Sequence, residues 1–143
     1  MNAWDVRNLH IQIHKVHATG SRYICNPPVM NTDEDWLVLV GDMERVVAHL
    51  IDSEGWVHCR DENAEPSSQN SDDPDTWLAL RKGEINLMVT EDEGWYNRSV
   101  LATDVCRERN VRNRDDRVAI FSYIRDGGSF RDYMEALSRW PPA

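Results

Sequence analysis

The chain has 143 residues, 41% of them hydrophobic and 29% charged, with a formal net charge of −9. That length suits one domain able to bury a core, and the negative balance excludes a protein whose main task is non-specific nucleic-acid binding. No run of eighteen apolar residues and no basic-then-apolar leader opens the chain, so a cytoplasmic protein with no membrane partner is expected. The widely spaced Cys25, Cys59 and Cys106 lack metal-finger spacing and read as reduced thiols.

Residues 2–18 read as an amphipathic helix, because Val6, Leu9, Ile13 and Val16 recur at spacings of three, four and three. His10, His14 and His17 fall on a neighbouring face of it. Three imidazoles so placed suit zinc or nickel, but the Cys or Glu partners of a zinc pattern are missing. The expected role of this helix is to present Gly20 and Ser21 at its end. A short strand over 22–25 and a bend at Pro27-Pro28 follow, and then Asp33 and Asp35 stand directly before an apolar strand, residues 36–40.

Asp42 is placed to cap a helix whose apolar face is Met43, Val46, Val47, Leu50 and Ile51 and which Gly55 stops. A third short strand covers 56–59. Residues 61–75 carry six acids and no basic residue among Pro, Ser and Asn, the composition of a mobile, solvated surface loop. Two β-rich runs, 77–80 and 84–90, flank a turn at Lys82-Gly83 and form a hairpin. The last third is helical: 94–110, then a helix from Asp115 or Asp116 through Ile124 to Gly127-Gly128, then 129–139 before Pro141-Pro142. Trp36 and Trp77 read as core or pocket wall. Trp95-Tyr96 either packs in the core or stacks on a base.

Alternation along an extended chain puts Asp33 and Asp35 on one face, a few ångströms apart. Two ionised carboxylates so close repel, and a shared proton or a bound cation relieves them. Oxygen-only ligands favour Mg2+ (or Mn2+), which takes its remaining ligands from water and substrate phosphates. The Gly20-Ser21 turn offers close backbone approach, amide donors and a hydroxyl for such a phosphate.

Gly20-Ser21, a spacer of eleven residues and Asp33-x-Asp35 running into a hydrophobic strand resemble the signature of the nucleotidyltransferase superfamily. Its members include DNA polymerase beta and the minimal nucleotidyltransferases, and the nearest likeness is to short nucleotidyltransferase-like proteins of phages and bacteria. The resemblance implies one α+β domain over residues 1–143, a small mixed sheet with flanking helices on one side. It also implies magnesium-dependent transfer of a nucleoside monophosphate from an NTP to a hydroxyl on a protein, RNA or small molecule. Asp33 and Asp35 would hold the metal, and Gly20 and Ser21 the phosphates.

The family adds a third carboxylate on a later strand. Here the matching position is Asn86, a neutral ligand and a poor base, or Glu84 two residues earlier if the register differs. Arginines crowd residues 98–117, and Arg98 or Arg107 is the expected phosphate partner. The missing acid keeps a second reading open: a catalytically impaired protein of this fold that acts by binding a protein partner, such as a phage modulator of a host enzyme.

Overall fold

The apolar run that follows the acid pair forms strand β2 (Glu34–Val40), and it lies inside the sheet, with Leu37, Val38, Leu39 and Val40 all buried. A strand buried on both faces reads as a continuous apolar run, and β2 does. The computed structural model describes residues 13–30, 33–59, 73 and 75–142. Besides β2 it contains β1 (Ile13–Thr19), β3 (Val57–His58), β4 (Trp77–Lys82) and β5 (Ile85–Thr90). The sheet order is β1-β2-β5-β4-β3, with β2 and β5 parallel and the other neighbours antiparallel.

Strand β1 replaces the second half of the helix expected over residues 2–18. Only Ile13 and Val16 carried the apolar stripe in that half, and the run His14, Val16, His17 and Thr19 has poor helix formers. Pairing with the apolar β2 outweighs so weak a preference, and Val16 ends up 57% exposed. The histidine group dissolves with the helix: His14 falls at a register shift between Ile13 and Lys15, His17 lies in regular pairing with Leu37, and His10 is outside the described residues.

The strand expected over 22–25 is also a helix, the single turn α1 (Gly20–Ile24). Gly20, at φ +78°, turns the chain out of β1, and Cys25 N–H donates to the Ser21 carbonyl at 3.1 Å. Ile24 and Cys25 are thereby buried against the C-terminal helices rather than in the sheet.

Helix α2 (Met43–Glu54) begins at Asp42, whose carboxylate accepts from the Arg45 amide at 3.1 Å, and ends at the left-handed Gly55. Its Met43, Val46, Val47 and Leu50 pack on one face of the sheet against Val38, Val40, Leu80 and Val89, while Ile51 stays exposed. On the opposite face Leu37, Leu39, Ala79 and Met88 meet Trp77, Trp95 and Tyr96, the last two from α3 (Glu93–Glu108). Helices therefore cover both faces of the sheet instead of the one expected. The alternation of β2 requires this, since both sets of its side chains are apolar.

Helices α4 (Arg114–Asp126) and α5 (Phe130–Arg139) extend the α3 side around a third core that includes Cys106, Val111, Ile120 and Ala136. The buried Asp116 of α4 accepts from Arg139 (2.7 Å) and from the Trp140 indole (2.8 Å), fixing α5 against the first turn of α4. The acidic segment 61–75 lies outside the described residues apart from Asp73 and Asp75. Among the described residues no helix is long and apolar enough to cross a membrane.

Cys106 is fully buried, and that burial pushes its thiol up to about 12 against the pull of the Arg117 charge. Below the ordinary thiol range both folded and unfolded chains hold the proton. As pH rises toward 12, the unfolded thiol ionises first and the native state loses stability. Urea midpoints at pH 7 and pH 10 should therefore fall further apart for the wild-type chain than for Cys106→Ala. Equal differences would show that the thiol is not shielded.

Candidate functional site

One row of residues crosses the sheet at the end of its apolar face. Thr19 of β1 stands opposite Asp35 of β2, Asp35 opposite Asn86 of β5, and Asn86 opposite Arg81 of β4. Directly opposed residues share a face, and two residues on from Asp35 and Asn86 that face carries Leu37 and Met88 of the α3-side core. Asp33, two residues before Asp35, completes the group. Polar chemistry thus begins where the packing of α3 on the sheet ends.

Asn86 is 3% exposed, and its side-chain amide donates to Oδ2 of Asp33 at 3.1 Å and to Oδ1 of Asp35 at 2.9 Å. With two carboxylates on that side, the NH2 end of the amide must face them. Its oxygen, Oδ1, is buried with no hydrogen-bond partner among the described residues. Arg81 adds a full positive charge, its Nη2 lying 3.5 Å from Oδ1 of Asp33. Glu84 is exposed in the turn between β4 and β5, where its backbone carbonyl accepts from the Glu34 amide at 2.7 Å. Asn86, and not Glu84, therefore adjoins both carboxylates.

Gly20 touches the same group. A Cβ built on it would overlap Oδ2 of Asp35 and lie 2.8 Å from its Cγ, so the turn and the acid pair are in van der Waals contact. Thr19 anchors the turn from the other side. Thr103 donates to the Ser99 carbonyl at 2.8 Å, which makes Thr19 the donor in the 2.8 Å bond between the two hydroxyls. This bond joins β1 to α3 and leaves α1 without a side-chain cap.

A cavity of about 560 Å³ opens between this group and α4, with Gly20, Ser21, Asp33 and Asp35 on one wall and Arg114, Arg117 and Arg125 on the other. Arg117 donates to the Val111 carbonyl at 3.0 Å. Arg125 forks onto Asp126 and lies 5.2 Å from the ring centres of both Trp77 and Trp95. Arg114 is exposed in the first turn of α4.

Arg98 and Arg107, the two arginines expected as phosphate partners, do not line this cavity. Arg98 donates to the Arg125 carbonyl at 3.0 Å and lines a second cavity with Asp92 and Trp95. Arg107 rests its guanidinium 4.0 Å over the Tyr23 ring. The signal that separates them from the lining arginines is helical spacing: Arg114, Arg117, Phe121 and Arg125 recur at three, four and four, one face of α4. Trp95 and Tyr96 are buried, with Trp95 stacked on Trp77 at 5.2 Å, and so belong to the core rather than to a base-stacking surface.

Among the described residues no group of three or more His, Cys, Asp or Glu side chains is arranged to hold a metal ion. Any cation here would depend on Asp33 and Asp35 with neutral oxygens beside them. The orphaned amide oxygen of Asn86 fits that need, since exchanging the two ends of the amide sets a third oxygen at the carboxylates. In kind, the donors suit a hard divalent ion.

No family model matches the chain, and no curated protein matches it in sequence. Among solved structures, the crystal structure of the conserved protein GrpB from Enterococcus faecalis aligns with a TM-score of 0.51 over 92% of this chain and 84% of that one, at 18% identity. At that identity the likeness shows the fold alone, an α+β arrangement of a five-stranded mixed sheet and flanking helices.

Two glycines with positive φ separate backbone cost from close contact. Gly83, at φ +61°, has nothing within 4 Å of an added Cβ, whereas Gly20 has Asp35. Gly83→Ala should lose about 1–2 kcal/mol from the left-handed backbone alone. Gly20→Ala should lose about 1–3 kcal/mol more from the overlap. Urea unfolding of both variants measures the difference, and equal losses would mean that the turn does not press on Asp35.

Proposed function

We propose that the cavity binds the phosphate chain of a nucleoside triphosphate together with Mg2+ (or Mn2+), in a protein of nucleotidyltransferase-like fold whose capacity for transfer is impaired. The observation that carries this reading is the buried Asn86 amide donating to both Asp33 and Asp35, beside a turn that touches Asp35. Asp33, Asp35 and the Asn86 oxygen would hold the cation. A bound magnesium supplies charge neutralisation for phosphate oxygens and a fixed point that orients them.

The chain's own residues divide the remaining work. Gly20, lacking a Cβ, lets a phosphate come close to the backbone, and Ser21 offers a hydroxyl. Across the cavity, Arg114 and Arg117 add positive charge suited to phosphate oxygens, while Arg125 is braced by Asp126 and the tryptophans. Among the described residues the row offers no third carboxylate to accept a proton from an attacking hydroxyl. An amide cannot serve as that base at neutral pH, and Glu84 stands outside the row. Binding without efficient transfer follows, and an acidic chain of net charge −9 suits a basic protein partner.

A second reading, transfer of a nucleoside monophosphate from the NTP to a hydroxyl of a protein, RNA or small molecule, is favoured by the retention of both aspartates beside the Gly20-Ser21 turn. Calorimetry with ATP, GTP, CTP and UTP in the presence of magnesium tests the shared premise. At least one should bind, and Asp35→Ala should weaken it roughly ten- to a hundredfold through loss of a charged ligand. No binding by any NTP overturns both readings. Labelling of an acceptor from labelled NTP should be weak in wild type and rise in Asn86→Asp. Strong wild-type labelling that Asp33→Ala abolishes would favour the second reading over the first.

A further inference from the structure

We infer that Arg81 is a built-in counter-cation of Asp33 that a divalent ion must displace, so that ion loading is coupled to release of this arginine. The inference rests on the reading that Asp33 and Asp35 take a divalent cation. Arg81 reaches the pair because the Gly83-Glu84 turn sets Lys82 opposite Ile85 and Arg81 opposite Asn86. Its guanidinium therefore points along the same polar row. Nη2 lies 3.5 Å from Oδ1 of Asp33, and both side chains are 33% exposed.

Three features make this contact a place-holder instead of a permanent clamp. A tight charge-assisted bond is about 2.7–2.9 Å long, so the 3.5 Å contact is loose. The Nε of Arg81 donates to the Gly83 carbonyl at 3.0 Å, a bond within its own turn that does not tie it to the acid pair. Finally, the Arg81 side chain is partly exposed, which gives it water to move into when a cation takes its place. Asn86, fully buried and uncharged, has no such freedom to leave. It can only turn its amide end for end beside the two carboxylates while Arg81 and the ion compete for Asp33.

Lys82 provides an internal control. It neighbours Arg81 with the same charge, but alternation turns it to the other face, where its Nζ donates to the Glu54 carbonyl at 2.6 Å. Mn2+ binding to the full chain, followed by the electron paramagnetic resonance signal of the free ion, measures the competition. Arg81→Gln should bind Mn2+ roughly two- to fivefold more tightly than wild type, the range set by a partly exposed ion pair. Lys82→Gln should match wild type, and Arg81→Lys, which keeps the charge, should lie between wild type and Arg81→Gln. If wild type binds Mn2+ and Asp35→Ala does not, yet Arg81→Gln binds no more tightly than wild type, the inference fails while the metal-site reading stands. Equal tightening by Lys82→Gln would reduce the effect to net charge and also overturns it. If neither wild type nor Arg81→Gln binds Mn2+, the metal-site reading falls and takes this inference with it.

Discussion

Two carboxylates on one face of a strand repel, and here the buried amide of Asn86 holds them side by side by donating to each at 3.1 and 2.9 Å. The surrounding structure is arranged so that this can happen. Parallel pairing of β2 with β5 sets Asn86 opposite Asp35, the tight β4–β5 turn sets Arg81 opposite Asn86, and antiparallel pairing with β1 brings Thr19 and then Gly20 to the same row. A one-residue slip in any of these pairings would turn a polar member of the row to the opposite face, so the apolar packing that fixes register also fixes the site.

That packing is two-sided. Helix α2 covers one face of β2, and α3 covers the other with Trp95 and Tyr96. The polar row begins where the Leu37 and Met88 layer stops. Helix α4 then closes the far side of the cavity. It is held from behind by α5 through Asp116, Arg139 and Trp140, a network in which a buried carboxylate has two strong donors. The arginine face of α4 thus stands across the cavity from the acid pair, and an anion between them would find opposite charge on one side and, with a cation present, on both.

Much of this was legible because local rules and tertiary structure agree. Asp42 caps α2, the run from Trp36 to Val40 had to be a central strand, and the i, i+2 spacing of Asp33 and Asp35 fixes their common face. The β hairpin directed attention to Asn86. The residues around the Gly20-Ser21 turn were harder. Ile13 and Val16 fit a helix as well as a strand, and only the free edge of β2, which local spacing does not reveal, decides for the strand. Tyr23 and Ile24 have a β-like composition but form part of one helical turn that, with Cys25, packs against distant helices. The arginines illustrate a different limit. Clustering in sequence suggested Arg98 and Arg107, whereas the cavity selects those on one face of α4, and that face is defined only once α4 is known to pack there.

The central claim is that a magnesium nucleotide occupies the cavity bounded by the Gly20-Ser21 turn, the Asp33 and Asp35 pair and α4. Titration of the isotopically labelled chain with ATP and magnesium, followed by nuclear magnetic resonance of backbone amides and the Asn86 side-chain amide, tests it most directly. The account predicts that Gly20, Ser21, Arg114 and the Asn86 side chain shift together and saturably, with Arg98 and Arg107 unmoved. Shifts centred on Arg98 and the second cavity, or saturation that leaves the Asn86 amide unchanged, would contradict it.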